Sequence, residues 1–126
     1  MLNQTEFKTV SGNTRKIILV DEKNSTAVSC KVANTGIDAD DDGKKIAKAG
    51  TPLVGDLLDR DTAFTVAGVS DTANCVLLHD VDVTSGTKNA QAVIFGTIDL
   101  SKLEVPVQAL ITSKVMGDLK MVQFIK

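Results

Sequence analysis

The stretch AQAVIFGTIDL, residues 90–100, is the most informative strand-like segment of this chain. Successive side chains of a strand point to opposite faces. Apolar side chains fall on both faces here: Ala92, Ile94, Ile98 and Leu100 on one, Val93 and Phe95 on the other. A strand that is apolar on both faces belongs in the interior of a fold, so this stretch predicts an interior strand.

Shorter β-like runs lie on either side of this stretch along the chain. They are Lys16 to Val20, Thr26 to Val32, Phe64 to Val69, Asn74 to Leu78 and Leu119 to Ile125. The first two are separated by a charged turn and are expected to form a hairpin or a pair of adjacent strands. One short helix is predicted near the C-terminus. It follows Glu104, has Pro106 in its first turn, buries Val107, Leu110, Ile111 and Val115 on one face, and stops at Gly117.

The composition agrees with a mainly β fold. The chain has 126 residues, four Phe and no Trp or Tyr, so its core must be built from Val, Ile, Leu and Ala. The glycines and the proline of residues 50–56 favour tight bends at the corner of a small barrel or sandwich. We therefore expect a mainly β (α+β), small barrel- or sandwich-like domain over residues 16–126, which is one domain by its length.

Residues 1–15 differ from the rest of the chain. They are polar, contain the breaker Ser11-Gly12-Asn13, and show neither a helical nor a strand period. This pattern predicts a flexible N-terminal arm.

Charge and hydropathy argue against two classes of partner. Fourteen basic and sixteen acidic residues give a net charge of −2, and no run of Lys or Arg is long enough to neutralise a row of phosphates. No apolar stretch has the length of a membrane span or of a signal-peptide core. We expect no nucleic acid and no membrane as partners, and synthesis in the cytoplasm of the producing cell.

The acidic loop of residues 37–43 comes closest to a metal site. Asp38, Asp40, Asp42 and Gly43 match four positions of an EF-hand loop, but Ala49 stands where the bidentate Glu is required. Flanking helices are also not expected, because Pro52 follows. A solvated acidic turn is favoured over weak calcium binding, and no metal site is predicted.

Catalytic chemistry has no support in the sequence. His79 is the single histidine, and its neighbour Asp80 would point to the opposite face of a strand. Cys30 and Cys75 stand apart and are each flanked by apolar residues, which is typical of buried free thiols. No nucleophile elbow, dinucleotide motif or phosphate loop is present. We predict no catalytic residue, no cofactor and no enzymatic activity.

Three stretches in order resemble one known family. The first is residues 42–53 with Ala49-Gly50-Thr51-Pro52-Leu53, the second is residues 74–83 with Leu77-Leu78-His79-Asp80-Val81-Asp82, and the third is the strand of residues 89–99. Together they resemble the head decoration proteins of tailed phages, of the lambda type and from phages of Gram-positive hosts. The resemblance covers residues 42 to 125, whereas residues 1–41 depart from the compact lambda-type pattern.

The resemblance implies a phage capsid decoration protein. Such a protein would bind the major capsid protein on the outer surface of the mature head as a homotrimer, and stabilise the head against the pressure of its DNA. In that family the N-terminal arm commonly reaches the capsid. The arm residues expected to bind the capsid are Leu2, Asn3, Gln4, Thr5, Phe7 and Val10.

Two alternatives remain from the sequence. The same fold could serve as a head fibre or host-surface adhesin base, although few aromatic residues are present to stack on sugars. A small carrier or ligand-binding domain is the other, because residues 50–57 resemble the glycine-containing stretch of biotinyl and lipoyl carriers and Lys120-Met121 resembles their modified lysine. Lys120, however, lies too near the C-terminus for the second half of that fold.

Overall fold

A computed structural model describes residues 17–126, and its architecture is mainly β with two short helices. The strands are β1 (Thr26–Val32), β2 (Ile46–Ala47), β3 (Pro52–Val54), β4 (Thr65–Val66), β5 (Cys75–Leu77), β6 (Val81–Asp82), β7 (Lys88–Asp99) and β8 (Val122–Ile125). The helices are α1 (Val105–Gln108) and α2 (Ser113–Asp118). Short 3-10 turns cover Glu22–Asn24 and Leu100–Lys102. The predicted arm, residues 1–15, lies outside the described residues.

Strand β7 is the centre of the molecule. The main sheet has the order β1-β7-β5-β3-β4 with antiparallel neighbours, and β8 pairs in parallel with the second half of β7. Strands β2 and β6 form a separate two-stranded sheet. Ala92, Val93 and Ile98 are fully buried, so the predicted interior strand is confirmed.

The two faces of β7 contribute to two clusters of buried residues. Ala92 belongs to a cluster with Leu53, Phe64 and Leu77, whereas Val93 and Ile98 share the other cluster with residues of α1, α2 and β8. The prediction that Ile98 lies on the same face as Ala92 is therefore wrong. The alternation changes because the register with β1 shifts beside Phe95 and because Gly96 takes a φ of 145°.

The expected hairpin between the first two β-like runs is also wrong. Strand β1 pairs with the first half of β7, while Leu19 forms an antiparallel bridge with Ile98 in the second half. Ile18 and Leu19 are buried and complete the cluster that contains Ile98. Within the described residues both runs therefore pair with β7, and no strand pairing joins one run to the other.

The C-terminal region contains two helices where the sequence pattern predicts one. Thr112 is extended, with φ −86° and ψ 171°, and its hydroxyl accepts a hydrogen bond from the Val115 amide as the cap of α2. The chain thus restarts a helix at Ser113, and Gly117 lies inside α2 instead of ending it. Both helices lie in the connection that carries the chain from β7 to the parallel strand β8.

The far edge of the main sheet returns to β1. Val32 forms a bridge with Phe64, next to β4. The Phe64 amide donates to the Lys31 carbonyl at 2.7 Å, and the Ala33 amide donates to the Phe64 carbonyl at 2.9 Å. The end of β1 is therefore bridged to the residue that precedes β4.

Candidate docking surface

The six arm residues predicted to bind a capsid lie outside the described residues. They are Leu2, Asn3, Gln4, Thr5, Phe7 and Val10. The described chain begins at Ile17, which is 53% exposed, and Val20 close by is 55% exposed. The described part of the chain thus begins at an exposed surface beside the second half of β7.

Three stretches that lie far apart in the sequence, residues 42–53, 74–83 and 89–99, are hydrogen-bonded neighbours. The Gly50 amide donates to the Leu77 carbonyl at 2.7 Å, and the Leu77 amide donates to the Thr51 carbonyl at 2.9 Å. The Leu78 amide in turn donates to the Gln91 carbonyl of β7 at 2.9 Å. Stretches far apart in sequence therefore meet across β3, β5 and β7 at the middle of the sheet.

The acidic side chains of these stretches hold backbone in place. Asp80 Oδ1 accepts a hydrogen bond from the Ala49 amide at 2.7 Å. Asp82 Oδ1 accepts from the Thr84 amide at 2.9 Å and from its hydroxyl, and these bonds lower the pKa of the Asp82 carboxyl. Half-buried His79 lines a shallow groove with both carboxylates. Asp80 thus joins two stretches of the sheet.

The acidic loop is organised by one of its carboxylates. Asp40 Oδ1 accepts hydrogen bonds from the Asp42 and Lys44 amides, each at 2.9 Å, and Gly43 turns the chain with a φ of 79°. Within residues 17–126 no group of three or more His, Cys, Asp or Glu side chains converges in a way that could hold a metal ion. The loop geometry is that of a turn held by Asp40.

The two thiols are buried in strands, as predicted. Cys30 lies in β1 and Cys75 in β5, both are free, and both belong to the cluster around Phe64. Burial raises the pKa of Cys75 to about 12, with a further contribution from Cys30. Burial also raises the pKa of Cys30, and the nearby Arg60 guanidinium opposes that rise. Neither thiol has the lowered pKa that a reactive cysteine needs.

An open groove lies beside the start of β8. We call it the C-terminal groove; its volume is about 660 Å³, and its lining includes Phe95, Thr97, Met116, Lys120, Met121 and Gln123. Phe95, Met116 and Met121 are 43%, 41% and 62% exposed, so their apolar surface faces solvent. Lys120 is exposed and is the charged residue of the lining. The groove therefore offers an apolar floor with one positive charge.

Helix α2 forms one wall of the groove and is tied to the main sheet's loops. The Lys114 ammonium contacts Asp118 Oδ2 at 2.9 Å and also donates to the Asp71 carbonyl. Asp118 Oδ2 further accepts from the Ala73 amide at 3.3 Å. The hydrogen bond from Lys114 is the main cause of the lowered pKa of Asp118. Two hydrogen bonds thus hold this helix to the loop of residues 71–73.

A second exposed apolar feature is the loop of residues 56–61, with the sequence Asp56-Leu57-Leu58-Asp59-Arg60-Asp61. We call it the leucine loop. Leu58 is 97% exposed and Leu57 is 37% exposed. The sequence reasoning missed both the leucine loop and the C-terminal groove. Two adjacent leucines between aspartates in a turn were the available signal for the loop, whereas the groove is assembled from three separate segments.

No protein-family profile and no curated protein sequence matches this chain. No helix in residues 17–126 is both long enough and apolar enough to cross a membrane.

Proposed function

We propose that this chain is a head decoration protein of a tailed phage. It binds the major capsid protein on the outer surface of the mature head as a homotrimer, without catalysis. Its N-terminal arm makes the first contact, through Leu2, Asn3, Gln4, Thr5, Phe7 and Val10. The capsid-bound protein is then part of the virion.

The observation that carries this proposal is the joining of the three family-like stretches in space. Gly50 and Thr51 are hydrogen-bonded to Leu77, and Leu78 is hydrogen-bonded to Gln91. Short Gly-rich and apolar motifs are individually weak signals. Motifs that occupy three adjacent strands of one sheet support a common framework, as the resemblance implies.

The roles of the polar side chains are compatible with a structural protein. Asp40 and Asp80 accept hydrogen bonds from backbone amides, and Lys114 is engaged with Asp118. The thiol of Cys75 has a pKa near 12, so it stays protonated at neutral pH. In the described residues these groups stabilise loops and strands, which suits a protein that acts by its shape.

We also propose the finer architecture of a small barrel. The order β1-β7-β5-β3-β4 has its two ends linked where Val32 meets Phe64. Phe64 is fully buried, together with Leu53 and Leu77 from the strands between. A curled sheet that encloses one of its two clusters leaves fewer free edges, and this favours a protein that is stable at a virion surface.

The arm supplies the attachment in this proposal. The proposed arm is residues 1–15, and an extended chain of that length spans on the order of 50 Å. Such a segment can add a strand to an exposed edge of a capsid protein. In a trimer the second and third arms bind as intramolecular events, so weak individual contacts give tight overall binding.

The test is binding to undecorated heads, expanded shells assembled from the major capsid protein of the same genome. We expect the full chain to co-sediment with these heads. Phe7→Asp and Val10→Asp should weaken binding, because they place charge where apolar contacts are proposed, whereas Asn13→Asp in the breaker should not. Absence of co-sedimentation of the full chain at any concentration would refute the proposal.

A further inference from the structure

The leucine loop has apolar surface that no other part of the described chain covers. Leu58 is 97% exposed, although a leucine side chain contributes about 1.5–3 kcal/mol when it is buried. The Leu58 amide donates to Asp56 Oδ1 at 2.8 Å, and the Thr62 hydroxyl donates to Asp59 Oδ2 at 2.7 Å. The loop is thus held in one shape with its leucine outward.

The charge of the loop is acidic on its outer side. It contains three aspartates and one arginine. The Arg60 guanidinium is turned back toward β1, where it donates to the Ser29 carbonyl at 2.8 Å. A surface that met this loop would therefore need an apolar pocket beside a positive charge.

The C-terminal groove has these two properties. Phe95, Met116 and Met121 give it an exposed apolar floor, and methionine side chains adapt readily to an inserted group. Lys120 provides the positive charge at the groove. Asp118, two residues before Lys120, is engaged by Lys114 and does not belong to the lining. The volume of about 660 Å³ is enough for two leucine side chains.

We propose that the leucine loop of one copy docks in the C-terminal groove of a second copy, with Lys120 facing the aspartates of the loop. The contact joins two different surfaces, so it is head-to-tail and each copy offers one loop and one groove. A head-to-tail contact closes a ring of three copies when it rotates each copy by one third of a turn relative to the next. This inference rests on the homotrimer of the proposed function and names the contact that builds it.

The first test compares two exposed apolar residues on different loops. Leu58→Asp and Val69→Asp each replace a side chain that is at least 97% exposed, so neither should affect folding. Analytical ultracentrifugation over a range of concentrations measures the trimer-to-monomer midpoint. We expect Leu58→Asp to raise the midpoint by at least about tenfold, and Val69→Asp to leave it unchanged. Equal midpoints for the two variants would overturn the proposal.

The second test exchanges the charges across the contact. Lys120→Glu should weaken the trimer by about tenfold, and Asp61→Lys should do the same, because each places like charges together. Asp61→Lys leaves the loop bonds of Asp56 and Asp59 in place. The double variant should recover the midpoint of the unchanged chain to within about threefold. A double variant as weak as the two single variants would contradict the pairing.

Head binding separates this inference from the function on which it rests. The same variants are mixed with undecorated heads and sedimented. If the chain binds heads but its oligomeric state does not change in the Leu58 and Lys120 variants, the docking contact is refuted and the decoration role is not. If the chain forms the trimer through this contact but does not bind heads, only the decoration role is refuted.

Discussion

Gly50 connects residues 42–53 to residues 74–83 through its backbone amide. It has a φ of 93°, and its amide donates to the Leu77 carbonyl. A Cβ at this position would come within 2.3 Å of Leu103 Cδ2, in the buried cluster below. The position therefore needs glycine both for its backbone angle and for its packing.

The substitution Gly50→Ala should lower the free energy of unfolding by about 3 kcal/mol, from the left-handed backbone together with overpacking against Leu103. Gly43→Ala is the matched control, because Gly43 has a φ of 79° but a Cβ added there would meet nothing within 4 Å. It should cost about 1 kcal/mol. Urea titration of both variants measures the difference, and equal losses would show that the Leu103 contact does not matter.

The raised pKa of Cys75 should make the free energy of unfolding depend on pH in the alkaline range. Its pKa rises from an ordinary value of 9.0 to about 12 on folding, so the folded state holds the proton more tightly than the unfolded state. The stabilisation is complete below pH 9 and is lost as the pH rises from about 9 toward about 12, by about 1.4 kcal/mol for each pH unit. Unfolding of Cys75→Ala should show a shallower decline over this range. An identical pH slope for the variant and the unchanged chain would contradict the burial of this thiol.

At the scale of elements, Asp80 joins the turn before β3 to the segment after β5. Asp80→Ala removes the acceptor of the Ala49 amide and should cost about 1–2 kcal/mol. Asp80→Asn keeps an acceptor oxygen and should cost less than Asp80→Ala. Thermal unfolding of the two variants checks this order, and an equal cost for both would mean that the hydrogen bond contributes nothing.

The elements themselves differ in how far the sequence predicts them. Thr26–Val32 and the strand at residues 90–100 follow from β-branched and apolar patterning, because sheet propensity and burial act together there. The face of Ile98 depends on the register shift and on Gly96, and the burial of Ile18 depends on the cluster that contains Ile98; both are tertiary effects. The C-terminal region forms two helices because Thr112 caps the start of α2. The apolar pattern of Leu110 and Ile111 continues across this break, so it predicts a single helix.

The candidate site is the least predictable part of the molecule. The arm residues remain a prediction, because they lie outside residues 17–126. The C-terminal groove combines Asn24, residues 95–97 and residues 116–117 and 119–123, which come from three separate segments of the chain, so no local pattern indicates it. Asp80 stands beside the single histidine in the sequence, and in the structure its carboxylate accepts a hydrogen bond from the Ala49 amide.

At the scale of the whole molecule, the proposal makes a mechanical prediction. Trimers that bridge neighbouring capsomers should offset the outward pressure of packaged DNA. Filled heads that carry the protein should therefore retain their DNA to a higher temperature than heads without it. They should also retain more DNA than heads without it in the presence of a chelator. Dye accessibility of the DNA during heating measures the release. Heads mixed with Phe7→Asp protein at equal concentration are the control and should behave like bare heads.

We propose that this chain acts by occupying a capsid lattice. Electron microscopy of expanded, undecorated heads mixed with the purified chain is the decisive experiment. We expect added density on the outer surface at the local three-fold positions, with the size of three copies. Heads whose outer surface is unchanged at saturating protein would contradict it.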